Sequence, residues 1–169
     1  MTEPRTAPAA VDASAAASFW AEYAAARPNE ARACPDYAVE RFGDSAELAD
    51  ELLRLVVQGT KRATSSLFSA YVEDGEPLPR IGSHWIVCDS AGIPRIILRT
   101  VELRIGAFHS VDEQFAYDEG EDDRSRASWL TEHRKFWQRG CEARGTAWSE
   151  DSEVVFERFR VVFPLNLAH

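Results

Sequence analysis

The stretch 94–105, PRIILRTVELRI, decides the fold class of this chain of 169 residues. Its β-branched residues, and the alternation in its second half, predict one long strand. Two shorter stretches flank it in sequence, 84–89 (HWIVCD) and 153–163 (EVVFERFRVVF), and each predicts a further strand. Helical patterns lie before and after these strands. The order of helices, strands, helices and strand predicts an α+β fold with a small, largely antiparallel sheet or barrel.

The helical patterns outline a single domain. The apolar spacing predicts helices in five places: from near Ser18 to Pro28, and over 48–56, 63–72, 111–117 and 125–144. Residues 1–14 are rich in Ala, Pro, Ser and Thr and lack aromatic side chains, so they predict a flexible N-terminal tail. No internal repeat and no linker divides the remainder. We therefore expect one domain over residues 15–169.

The charge of the chain limits its partners. The formal net charge is -9, with a pI near 5.0. This argues against a broad duplex-DNA binder, because counterion release needs clustered Lys and Arg. A nucleoside or a short single strand of RNA held in one local cleft stays compatible with this charge.

The cysteines and the hydropathy bear on location. The three cysteines, Cys34, Cys88 and Cys141, are odd in number and far apart in sequence, so neither a disulfide framework nor a C-x-x-C metal site is predicted. No apolar run approaches the ~20 residues of a membrane span. The N-terminal segment has one basic side chain, Arg5, and lacks a signal-like apolar stretch. We expect a soluble cytoplasmic protein with no membrane partner, either a monomer or a homodimer.

The stretch 59–65 (GTKRATS) combines a glycine bend with two cations and three hydroxyls. If the predicted helix over 63–72 begins here, Lys61 and Thr64 are neighbours on one face. An ammonium beside a hydroxyl forms a workable nucleophile pair if the lysine is desolvated enough to lose its proton. The alternative is an ordinary loop between helices, with Thr60 as cap and the cations solvated.

The stretch 118–125 (DEGEDDRS) places five carboxylates around one glycine. These carboxylates could bind a divalent cation, although the spacing differs from an EF-hand loop. One of them could act as a general acid or base, with a pKa raised by burial and like charges. The third alternative is a solvated loop whose acids favour the N-terminus of the following helix.

Aromatic residues mark one side of the last predicted helix. His133 lies four residues from both Trp129 and Trp137, so the three share a helix face. Packing within the core is one interpretation, and stacking against a base is the other. Arg80 could line a cleft, although most arginines of strands are solvated.

Taken together, these features resemble the ASCH domain, the activating-signal-cointegrator homology domain related to PUA RNA-binding domains. Seven pieces carry the resemblance, in family order and from about Phe19 to Phe163. They are Phe19-Trp20, 41–45 (RFGDS), 59–64 (GTKRAT), 78–83 (LPRIGS), 115–121 (FAYDEGE), 123–125 (DRS) with Trp129 and His133, and 156–159 (FERF).

The resemblance implies a PUA-like small β-barrel with helices packed around it and a central cleft. A small bacterial branch of the family looks like amidohydrolases that deacylate N4-acylated cytidine with a lysine, a threonine three residues later and a downstream glutamate. These fall on Lys61, Thr64 and Glu119, which are therefore the expected catalytic residues. Further residues of the same pieces are expected to bind substrate: Gly59, Arg62, Ser65, Arg80, Glu121, Arg124, Ser125, Trp129 and His133.

Other functions stay open. A larger branch of the family has been linked to metal-assisted RNA cleavage, and other PUA-like domains only bind. Two positions depart from the expected pattern: Asp122 replaces a glycine, and Arg62 follows the lysine where threonine is frequent. The hypotheses are an amidohydrolase on N4-acylated cytidine, a ribonuclease on single-stranded RNA, and a non-catalytic RNA-binding module. No cofactor is expected, except a divalent cation for the ribonuclease.

Overall fold

A computed structural model describes residues 5–169 and contains six α-helices, one 3-10 turn and five strands within them. In chain order the elements are α1 (Ala13–Ala26), α2 (Pro28–Ala33), β1 (Tyr37–Glu40), α3 (Ala46–Val57), β2 (Ala63–Leu67), α4 (Phe68–Asp74), β3 (His84–Cys88), β4 (Pro94–Ala107), a 3-10 turn (Phe108–Ser110), α5 (Glu113–Glu119), α6 (Arg126–Arg144) and β5 (Glu153–Phe163). The predicted α+β class is confirmed.

The five strands form one mixed sheet in the order β1-β3-β4-β5-β2. β1 runs parallel to β3, and the other pairs are antiparallel. Within the described residues β1 and β2 are edge strands that pair only with β3 and β5. The sheet is therefore open, and the expected barrel is not confirmed.

Helices cover the sheet through three buried clusters. α5 and α6 pack aromatic side chains such as Trp129 and Trp137 around Phe156 of β5. α3 places its leucine stripe against a second cluster that contains Phe42, and α1 packs around Tyr23 in a third. Burial of these side chains supplies most of the free energy that holds the helices to the sheet.

The predicted helix over 63–72 is wrong. Residues Ala63–Leu67 form β2, and only Phe68–Asp74 are helical. β2 pairs with β5 along its whole length and buries Ala63 and Leu67. Ladder hydrogen bonds and this burial override the weak helix propensity of the Thr-Ser-Ser run.

The N-terminal segment lies against the β3–β4 turn. The Ala9 N–H donates to the Ser90 carbonyl oxygen at 2.9 Å, and the Asp12 N–H donates to the Gly92 carbonyl oxygen at 2.9 Å. Asp12 caps α1, which begins at Ala13 and not near Ser18. The first four residues of the predicted tail lie outside the described residues. No helix in the described part of the chain has the length and apolarity that crossing a bilayer requires.

Candidate active site

A cavity of about 230 Å³ lies between α3, β2 and the α5–α6 region. It is lined by Arg5, Phe42, Gly43, Leu48, Glu51, Leu52, Leu55, Lys61, Thr64, Ser65, Glu121, Asp122, Glu132, His133, Phe136 and Arg139. Its volume is below the roughly 300–1,000 Å³ of sites for drug-sized ligands. A single small molecule, or one unit of a longer one, fits this space.

Lys61 stands at the entrance to β2 with its side chain buried in the cavity wall. The residue is only 1% exposed. Its Nζ donates to Glu121 Oε1 at 2.7 Å and lies 3.4 Å from the Glu119 carbonyl oxygen. Burial lowers the pKa of Lys61, but the carboxylates of Glu121 and Glu119 outweigh burial, so the pKa is raised. The side chain is therefore an ammonium group.

Glu119, the last residue of α5, is completely buried and contacts two side chains. Ser65 Oγ donates to its Oε1 at 2.6 Å. Its Oε2 lies 2.9 Å from His133 Nε2 in an ion pair. Burial raises the pKa of Glu119, but His133 and Lys61 outweigh burial, so the pKa is lowered and the group is a carboxylate.

His133 holds the other side of this ion pair from α6. Its Nδ1 lies 3.0 Å from the Trp129 carbonyl oxygen, one turn earlier. Its ring stacks on the Trp129 ring with 4.1 Å between centroids. Burial lowers the pKa of His133, but Glu119 outweighs burial, so the pKa is raised. Both ring nitrogens therefore lie close to acceptor oxygens, an arrangement that favours the protonated ring.

The backbone segments 60–62 and 118–120 touch in a seam that brings Lys61 and Glu119 together, although the two residues are far apart in sequence. The Arg62 N–H donates to the Asp118 carbonyl oxygen at 2.7 Å. Gly120 adopts a left-handed φ of +72, and a Cβ there would lie 2.4 Å from the Thr60 carbonyl oxygen. Only glycine fits this close approach, which sets the spacing of the two charged side chains.

We expect Gly120→Ala to destabilise the protein more than Gly145→Ala. Gly145 has nearly the same φ, +69, but no atom lies within 4 Å of its would-be Cβ. Backbone strain alone should cost about 1 kcal/mol at Gly145, and the clash should add about 1–3 kcal/mol at Gly120. Urea unfolding of both variants measures the difference, and equal losses would show that the seam tolerates a side chain.

Three side chains at the cavity or directly behind its wall offer metal ligands. One oxygen each from Glu119 and Glu121 and a ring nitrogen of His133 lie within 4.8 Å of one another. In the present arrangement the Lys61 ammonium contacts Glu121, and the Glu119 carboxylate beside His133 raises the pKa of the imidazole. A divalent cation would have to displace both positive charges, so these residues fit a metal ion poorly while those contacts hold.

A sequence model of the ASCH domain matches residues 38–163. The chain belongs to the ASCH-domain family. An ASCH domain from Lactobacillus crispatus JV V101 is 28% identical, with a TM-score of 0.82 and coverage of 94% of this chain and 97% of that one. A protein from Enterococcus faecalis V583 is 29% identical, with a TM-score of 0.77 and 88% coverage of each chain. No curated protein matches the chain.

This ASCH domain brings only part of the predicted site together. Lys61, Ser65, Glu121 and His133 line the cavity, and Glu119 lies behind its wall. Thr64 also lines the cavity. Among the described residues, however, no hydrogen bond joins its hydroxyl to Lys61 or Glu119. The helical face on which Lys61 and Thr64 were expected to meet does not exist, because Thr64 lies on a strand.

Three of the other predicted substrate-binding residues have structural contacts. Ser125 caps α6 by accepting from the Ser128 N–H. The Arg124 guanidinium lies over the Tyr117 ring, 3.5 Å from its centroid. Trp129 is buried in the core of the ASCH domain, where it packs near Phe108.

The remaining three predicted residues lie away from the cavity. Gly59 and Arg62 line a second, more open groove, where Arg62 pairs with Asp118 at 3.2 Å. Arg80 is exposed before β3 and lines neither space. None of these three residues lines the cavity in which they were expected to bind substrate.

Sequence reasoning missed one wall of the cavity. Leu48, Leu52 and Leu55 were recognisable as an apolar stripe, and such a stripe usually faces the core. In this ASCH domain it also lines the cavity, together with Phe42 and Phe136. The i, i+3 spacing of His133 and Phe136 is the one sequence signal that places Phe136 beside the site.

Proposed function

We propose that this ASCH domain hydrolyses the exocyclic amide of N4-acylated cytidine. One observation carries the proposal: an ammonium (Lys61) and hydroxyls of β2 line one small cavity, and a carboxylate (Glu119) lies behind its wall in contact with Ser65. Hydrolysis of an amide needs a nucleophile, a proton acceptor and a positive group near the developing oxyanion. All three are present at the cavity or directly behind its wall.

The charges assign the roles. Because the Lys61 pKa is raised, the proton-accepting role that the sequence suggested for it is unfavourable. Its ammonium suits the polarisation of the amide carbonyl. Glu119, held as a carboxylate against Ser65, suits proton transfer. Its lowered pKa makes it a weak base, but the N4 amine of cytosine is conjugated with the ring and leaves more readily than an alkyl amine.

The walls of the cavity suit a nucleoside with an acyl group. Phe42 and the α3 leucines offer apolar contact, whereas Glu51, Glu132 and Arg139 are polar lining residues. A ligand with a flat ring, an apolar acyl substituent and a polar sugar matches this mixture. The net charge of -9 agrees with an uncharged nucleoside better than with a long polyanion.

We expect the wild-type protein to release acetate and cytidine from N4-acetylcytidine, with EDTA causing no loss. Chromatography of the nucleosides and an enzymatic acetate assay measure both products. N4-methylcytidine, which lacks the amide, is the matched control and should stay intact. Unchanged N4-acetylcytidine after long incubation would contradict the proposal. If affinity for the nucleoside remained in that case, a non-catalytic binding module would be the better description.

A metal-assisted ribonuclease is the second candidate, favoured by the close approach of Glu119, Glu121 and His133. Such a group could hold a divalent cation that activates water if the Lys61 ammonium moved away. Cleavage of single-stranded RNA that requires added Mg²⁺ or Mn²⁺ and is stopped by EDTA would support this function. Cleavage that is indifferent to EDTA would remove the metal from it.

A further inference from the structure

We infer that Ser65, and not Thr64, is the nucleophile that receives the acyl group. The inference rests on the proposed amidohydrolase function and names the atom that does its covalent chemistry. The family resemblance implies the threonine. The contacts of the two neighbouring hydroxyls differ, and they favour the serine.

The strand separates the two side chains. Successive residues of a strand point to opposite faces of a sheet, so Thr64 and Ser65 of β2 diverge. Ser65 is paired in register with Phe156, and Thr64 is paired with Glu157. Phe156 belongs to the cluster that packs α5 and α6 on the sheet. Ser65 therefore faces the two helices that carry Glu119 and His133.

Ser65 has a proton acceptor at hand. Its Oγ lies 2.6 Å from Glu119 Oε1, within the range for proton transfer. His133 Nε2 lies 2.9 Å from the other carboxylate oxygen, and His133 Nδ1 faces the Trp129 carbonyl oxygen at 3.0 Å. His133 thus orients the Glu119 carboxylate that accepts the proton, as a third group orients the base of a nucleophile–base pair. Among the described residues, the Thr64 hydroxyl makes no contact of this kind.

Lys61 completes the arrangement from the other side. Its Nζ lies 3.4 Å from the backbone carbonyl oxygen of Glu119 and 2.7 Å from Glu121 Oε1, so the ammonium is fixed at the end of α5, the helix that carries Glu119. Lys61 and Ser65 both line the cavity. A carbonyl carbon that approaches Ser65 Oγ therefore brings its oxygen towards a positive charge.

The reaction proceeds in two steps, acylation of Ser65 and hydrolysis of the resulting ester. Ser65 Oγ attacks the amide carbonyl carbon while its proton passes to Glu119 Oε1, and the oxyanion forms beside the Lys61 ammonium. The C–N4 bond then breaks, N4 takes the proton from Glu119, and cytidine leaves an ester on Ser65. Water attacks that ester with Glu119 accepting its proton, and Ser65 regains a proton as the carboxylic acid departs.

A purely structural role for Ser65 makes a different prediction. In that case the hydroxyl only satisfies a buried carboxylate, no covalent intermediate exists, and Ser65→Ala acts through stability alone. Trapping the acyl group distinguishes the two roles. A loss of activity in one variant would not.

The experiment is acid quenching of the protein during turnover of N4-acetylcytidine, followed by peptide mass spectrometry. We expect an acetyl group on Ser65 and none on Thr64, in the wild-type protein or in Ser65→Cys, whose thioester can accumulate. Ser65→Ala should lose about 10²-fold or more in kcat/KM, and Thr64→Val should lose less while keeping the adduct on Ser65.

Three outcomes of this experiment would overturn the assignment of Ser65 as the nucleophile. An acetyl group on Thr64 would overturn the inference while leaving the amidohydrolase function intact. Acetate release with no adduct on residue 65 in either the wild-type protein or Ser65→Cys would also overturn it. Absence of acetate release from the wild-type protein would overturn the proposed function and, with it, this assignment. Ser65→Cys keeps a nucleophile at the site, so the test does not depend on whether Ser65→Ala folds.

Discussion

Lys61→Met is expected to lower kcat/KM for N4-acetylcytidine by about 10²–10³-fold, the usual effect of removing one group that stabilises an oxyanion. Methionine keeps the length of the side chain and its apolar packing against Phe42, whose ring centroid lies 5.5 Å from Nζ. The change therefore removes the charge and its contacts with Glu121 and the Glu119 carbonyl oxygen while keeping the apolar volume. Steady-state kinetics with the purified variant measure the effect.

The control for this variant is the other lysine of the chain. Lys135 is exposed on α6 and, within residues 5–169, pairs only with Glu132, at 2.8 Å. Lys135→Met changes the net charge by the same amount as Lys61→Met, so it reports any long-range effect of charge. A folded Lys61→Met protein with the kcat/KM of Lys135→Met would contradict the role of the ammonium.

His133→Ala is expected to lower the free energy of unfolding by about 3–5 kcal/mol, because it leaves Glu119 buried without its nearest cation. It also removes the stack on Trp129. Urea denaturation followed by tryptophan fluorescence and circular dichroism measures the loss. His109→Ala, at an exposed histidine, is the control and should change the free energy little.

The ion pair of Glu119 and His133 should make the free energy of unfolding depend on pH. The pKa of Glu119 is lowered, so its contribution is present above its ordinary value of 4.5 and is lost as pH falls through the lower folded value. The pKa of His133 is raised, so its contribution is present below 6.5 and is lost as pH rises through the higher folded value. The gap between wild type and His133→Ala should be widest between these two limits. A gap that stays constant into alkaline pH would contradict the ion pair.

Much of the fold could be predicted from local patterns. The strand over 153–163 has the predicted bounds, and β4 extends the predicted 94–105 by two residues, to Ala107. The last helix begins at Arg126 behind its Ser125 cap, as the pattern over 125–144 indicated. These segments have strong periodicity or clear end signals, so their secondary structure can be predicted from neighbouring residues alone.

The edge strand could not be predicted in the same way. Ala63–Leu67 is a short run of small and hydroxylated residues, and its partner β5 lies about ninety residues further along the chain. Nothing within the segment itself reports that distant ladder. The openness of the sheet is likewise a property of pairing between remote strands, which composition does not encode.

The candidate site was predictable in its charged members and not in its contacts. The family resemblance pointed to Lys61 and Glu119; Lys61 lines the cavity, and Glu119 lies behind its wall. Ser65 and His133 were assigned to substrate binding, yet each contacts a different oxygen of Glu119. Which acceptor a hydroxyl or an imidazole finds depends on tertiary geometry, so sequence spacing alone did not separate Ser65 from Thr64.

The contact between Thr60 and Gly120 decides which positions of the protein can be varied by mutagenesis. Side chains next to that contact are locked to a backbone that has no room to adjust, and libraries built there should yield mostly misfolded protein. Leu48 and Leu55 sit on a separate helix, α3, and are only half-buried. New substrate preferences should therefore be sought by randomising α3, while the loops around Thr60 and Gly120 are left unchanged.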